Sequence, residues 1–70
     1  MSQITSIMAG SVWKILVQVG ERIEAGQEVV ILESMKMEIP IVAEVSGTVS
    51  EITINEGDFV NDGDVLAQLE

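Results

Sequence analysis

The sequence predicts an all-β fold: a small sandwich or barrel of seven or eight short strands in two sheets, related by a pseudo-twofold axis. Three observations carry this. Apolar runs such as Val29-Val30-Ile31-Leu32 are too short for helices and too rich in β-branched residues to favour them. Glycines followed by acids or amides, as in Gly20-Glu21 and Gly63-Asp64, punctuate the runs as tight turns. The chain also repeats itself: Gly10, Gly20 and Gly26 recur 37 residues later as Gly47, Gly57 and Gly63.

The elements follow in order. Along Ser11–Val17, the residues Val12, Ile15 and Val17 match Val49, Ile52 and Ile54 of the second half, and are expected to face the core. Turns at Gly20-Glu21 and Gly26-Gln27 lead to the strand Val29–Leu32, with Ile23 between them matching Val60. Ile39–Val42 is the next strand. It contains the only proline, Pro40, which lacks an N–H and so belongs at an edge, a strand end or a bulge. The second half then runs through Thr48–Ile54, the turns Gly57-Asp58 and Gly63-Asp64, and Val65–Leu69. Leu32 matches Leu69 and Glu33 matches Glu70.

Composition narrows the function. Seventy residues suit one domain, 1–70, whose core is marginal: about 60% of the chain's surface can be buried at this size. Twelve acids against three bases give a net charge of −9, which repels nucleic acid and anionic membrane surfaces. Without cysteine or histidine there is no disulfide, thiolate nucleophile, Cys/His metal site or catalytic triad. No catalytic residue and no metal ligand is assigned. The N-terminus lacks a signal-peptide pattern, and no apolar run approaches the ~20 residues needed to span a bilayer. A cytoplasmic monomer is the expectation.

The repeat isolates what is unique. Ser34-Met35-Lys36-Met37 links the halves and has no counterpart, because position 34 + 37 = 71 lies beyond residue 70. This loop and the termini should therefore lie at opposite ends. A tight hairpin between Leu32 and Ile39 would ordinarily carry Asn-Gly or Asp-Gly. Met-Lys-Met is a poor turn sequence, and two methionines at an exposed tip add little to the fold while straining the backbone. An ordinary turn with a solvated lysine is the plain reading. A lysine displayed for a partner is the other.

These residues resemble a known family. Glu33-Ser34-Met35-Lys36-Met37-Glu38 is similar to the attachment motif of biotinyl domains, Glu-Ala/Ser-Met-Lys-Met. Met8-Ala9-Gly10-Ser11-Val12 resembles their upstream motif, and Val19–Ile23 and Ala25–Gln27 resemble their turns. The resemblance covers essentially the whole chain and is strongest to small stand-alone members of the biotinyl/lipoyl attachment family. It implies a flattened barrel of two four-stranded antiparallel sheets, a barrel-sandwich hybrid. It also implies covalent biotin on Lys36 through an amide bond, with Met35 and Met37 beside it.

The implied role is a carrier, not an enzyme. An exposed lysine amine is protonated at neutral pH, and no residue here could serve as its base. A biotin protein ligase would therefore supply an activated biotinyl-adenylate, reading the adaptable surface of Met35 and Met37. Biotin carboxylase and carboxyltransferase sites are the implied later partners. Lipoate on the same lysine is the alternative cofactor, although lipoyl domains usually carry Asp-Lys-Ala. An unmodified binding module of the same fold is a further alternative. Glu33 and Glu38 flank the motif as solvated acids or ligase contacts. Val17–Gly26 equals Ile54–Gly63 in length, so the extra "thumb" of some biotinyl carriers does not fit and an uncovered, mobile biotin is expected. With the chain starting almost at its first strand, it would reach partners by diffusion or direct docking, or be a piece of a longer protein.

One asymmetry stands outside the motif. Trp13, Leu16 and Val19 match Ser50, Thr53 and Glu56, so the first half carries an apolar outer patch that the second lacks. Trp13 either seals the small core or anchors a partner.

Overall fold

A computed structural model describes residues 2–70. Its strands are β1 (Ser2–Thr5), β2 (Gly10–Ile15), β3 (Arg22–Ile23), β4 (Glu28–Ser34), β5 (Met37–Val42), β6 (Gly47–Ile52), β7 (Phe59–Val60) and β8 (Val65–Leu69). They form two antiparallel four-stranded sheets, β1-β8-β6-β3 and β5-β4-β2-β7. Shifting each first-half strand by 37 residues turns one sheet order into the other, as the repeat requires. Among the described residues there is no helix long and apolar enough to cross a membrane.

Aliphatic side chains fill the space between the sheets. Ile23, Val29, Leu32, Leu66 and Leu69 are fully buried, with Val12 and Val49 beside them. The expected facing of Val12, Ile15 and Val17 holds for Val12 and Val17, while Ile15 is half-buried against the core. Their spacing is not the simple alternation of a flat strand. A bulge between Val12 and Lys14 takes up one extra residue of β2, and the same bulge recurs between Val49 and Glu51 of β6. Trp13 and Lys14 consequently are both exposed.

Four turns share one design. Glu21, Gln27, Asp58 and Asp64 each donate the backbone N–H to the carbonyl three residues earlier, at 3.0 Å. Each also accepts, on its side chain, the N–H of that same earlier residue, at 2.8–3.1 Å. The glycine between takes φ of +90° to +98°, a conformation that glycine alone adopts cheaply.

Pro40 lies in β5, an edge strand, where its missing N–H costs no ladder bond. The β4–β5 hairpin turns at Ser34–Met37 and has its other end at the pair Glu28–Val42. From Val42 the chain leads to Gly47, which lies against Glu70, and Leu69 pairs with Ser2. The tip and the termini thus sit at opposite ends, as expected.

Candidate functional site

The tip of the β4–β5 hairpin is built by pairing that tightens toward it. Leu32 faces Ile39, Glu33 faces Glu38, and Ser34 faces Met37, leaving Met35 and Lys36 as a two-residue loop. Both take positive φ, +53° and +66°, the pair of values a type I′ hairpin turn needs. Asparagine and glycine meet that demand at low cost, whereas an ordinary side chain there costs about 1–2 kcal/mol per residue. Among the described residues these are the only non-glycine positions with positive φ. The strain foreseen from Met-Lys-Met is present, at the one segment outside the repeat.

That strain displays side chains. Met35 is 92% exposed and Met37 63%, so neither contributes to the core. Lys36 is exposed between them and forms no ion pair; the salt bridge among the described residues joins Arg22 to Glu24. The other lysine, Lys14, is placed differently. It lies within β2 with Nζ 5.6 Å from the centroid of the Trp13 ring, within cation–π range.

The neck of the hairpin is pinned from β2. A Cβ placed on Gly10 would sit 2.9 Å from the Glu33 carbonyl oxygen and 3.5 Å from the Ser34 Cβ. Ser6, the one buried polar residue among those described, bonds the backbone of Met8 and fixes the approach to Gly10. The upstream motif around Gly10 therefore supports the tip without reaching it. Glu33 and Glu38 lie directly opposite each other, both exposed. Like charges in that relation disfavour pairing, so the fold gains nothing from them there.

The sequence signal located Lys36, Met35 and Met37, which the structure brings together at one tip. It did not reveal the contact of Gly10 with Glu33, which depends on strand packing. It also left Val19 grouped with Trp13. In the structure the Val19 turn is bonded to Val49 of β6, through Gly20 N–H to the Val49 carbonyl at 2.7 Å. Phe59, paired opposite Ser11, shares the sheet of Trp13 instead. Trp13 is 42% exposed and stands outside the core cluster.

A two-sheet domain that spends backbone strain on presenting one lysine has the form of an attachment domain for a prosthetic group. The chain belongs to the biotin/lipoyl family: the family model described as "Biotin-requiring enzyme" matches residues 1–69. It is 66% identical over 62 residues to the biotin/lipoyl attachment protein of Bacillus subtilis (strain 168), covering 89% of this chain and 85% of that protein. It is 49% identical over 59 residues to the biotin carboxyl carrier protein of Streptococcus mutans, covering 84% of this chain and 45% of that one. The urea carboxylase of Kluyveromyces lactis superposes with a TM-score of 0.90 at 38% identity, over 99% of this chain and 6% of that enzyme.

Proposed function

We propose that residues 1–70 form one attachment domain that carries biotin in amide linkage on Lys36 and serves as a carboxyl carrier. The observation that carries this reading is the type I′-like tip, where Met35 and Lys36 hold positive φ and the lysine stands exposed beside two exposed methionines. A covalently held group fits such a tip, because Lys36 and both methionines are exposed there.

The chain's own residues do little chemistry and much presentation. In its unprotonated form the Lys36 Nζ attacks the acyl carbon of a biotinyl-adenylate held by a biotin protein ligase. The new C–N amide bond displaces AMP, and the nitrogen loses its proton to solvent. One positive charge disappears, so the net charge moves from −9 to −9 − 1 = −10. Met35 and Met37 offer the ligase polarisable, adaptable surface, while the twist of the I′-like turn sets the direction of Lys36. Biotin, when bound, supplies the ureido nitrogen that holds a carboxyl group between a biotin carboxylase and a carboxyltransferase. The domain acts as a rigid base for that arm.

The similarity to a biotin carboxyl carrier protein and the methionines flanking Lys36 both favour biotin over lipoate. Lys36→Arg tests the assignment, because it keeps the charge and removes the primary amine. With biotin protein ligase, avidin-blot signal should vanish while the melting curve stays unchanged. Signal persisting through Lys14 would refute it.

A further inference from the structure

The pseudo-twofold provides an internal control for the two outer sheet faces. On the sheet that carries the Lys36 hairpin, outward positions hold Trp13, Ile31, Pro40 and Phe59. Their equivalents on the other sheet are Ser50, Gln68, Gln3 and Arg22, polar in every case. Folding does not explain the difference, because the same backbone is built with polar side chains on the opposite face. Pairing sets the apolar residues on one surface: Ile31 lies opposite both Lys14 and Pro40, and Ser11 opposite both Phe59 and Glu33. Trp13 and Phe59 are 42% and 66% exposed.

Charge selects the occupant. One exposed cation, Lys14, lies within this face beside Trp13, and exposed carboxylates surround the face: Glu33 and Glu38 toward the hairpin tip, Glu28 opposite Val42 at its far end, and Glu56, which accepts the Ile15 N–H at 3.1 Å. A second copy of the chain would set acid against acid, at −9 on each side. A complementary surface is apolar at its centre and lined with lysine and arginine at its rim. The face shares β4 and β5 with the Lys36 hairpin, so a protein docked there has the arm beside it.

We propose that the outer face of the β5-β4-β2-β7 sheet docks the enzyme that loads the carboxyl group, through an apolar surface with a basic rim. This rests on the carrier reading of Lys36. Docking through the face holds whether or not the lysine is modified, which separates it from recognition of the arm.

The test titrates biotin carboxylase from the cell that makes this chain into protein labelled with fluorotryptophan at Trp13, its one tryptophan. Both the biotinylated form and Lys36→Arg are used. Docking predicts a saturable change in the single fluorine resonance in both forms, weakened by salt. Phe59→Arg, copying the polar sheet, should bind at least about tenfold more weakly. A melting curve checks that this variant folds; if it does not, Ile31→Gln replaces it. An unchanged resonance in the two forms, binding that requires biotin, or full affinity in the folded variant overturns the proposal. So does sedimentation showing that the chain pairs with itself through Trp13. Binding as expected without carboxylation of the biotinylated form upholds the docking face and refutes the carrier reading instead.

Discussion

Gly10 lies so close beneath the Glu33 carbonyl that an added Cβ would stand 2.9 Å from its oxygen, and the repeat reproduces the contact between Gly47 and the Glu70 carbonyl at 3.1 Å. Both obstacles are backbone, which cannot swing aside as a long side chain can. Gly10→Ala is therefore expected to force β2 and β4 apart and destabilise the fold by about 1–3 kcal/mol, the usual cost of overpacking. Gly47→Ala should cost less, its contact being the longer of the two. Denaturant melts of the two variants check the order.

The tip trades stability for display. Met35→Asn relieves a positive φ of +53° and should stabilise the domain by up to about 1 kcal/mol. The same change removes apolar surface that the ligase is expected to read, so biotinylation should slow. A variant biotinylated at the parental rate would show that Met35 is not a determinant. Replacing Met37 as well should deepen the kinetic loss without lowering the melting temperature, since Met37 is 63% exposed.

Glu33 and Glu38 face each other across β4 and β5. Neutralising one as Glu38→Gln removes a like-charge pair and should stabilise the hairpin by about 0.2–1 kcal/mol at low salt, with the gain fading as salt rises. Thermal melts across a salt series read this directly.

The turns depend on their fourth residue. Asp64 accepts the Asn61 N–H at 2.8 Å, so Asp64→Ala should cost about 1 kcal/mol. Asp64→Asn keeps an acceptor oxygen and should recover much of the loss. Equal melting of the two variants would mean that the side chain does not brace the turn.

Much of the fold could be read from the chain because glycine spacing is a direct record of backbone conformation. Gly20, Gly26, Gly57 and Gly63 all take positive φ, and their shared spacing encodes the twofold. Pro40, which lacks an N–H, narrowed its place to an edge, a strand end or a bulge, and the structure puts it in the edge strand β5. The strands without strong patterns were harder. β3 and β7 are two residues each, too short for any periodicity, and β1 lies in a stretch where only Ile4 is buried. Simple alternation also failed along β2, since a bulge is a property of two paired strands and not of one. The site divided similarly. Met35-Lys36-Met37 stood out because it is a poor turn in a symmetric chain. The apolar sheet face needed the structure, because Phe59 is 46 residues from Trp13 and only the pairing of β7 with β2 joins them.

If Lys36 is the attachment point and biotin the group attached, one reaction shows both. Incubating the chain with biotin protein ligase, biotin and ATP, then mapping the product by peptide mass spectrometry, tests them most directly. One biotinyl group per chain is expected, located on Lys36, with Lys14 unmodified. A biotinyl group on Lys14, or a chain left unmodified by an active ligase, would contradict it.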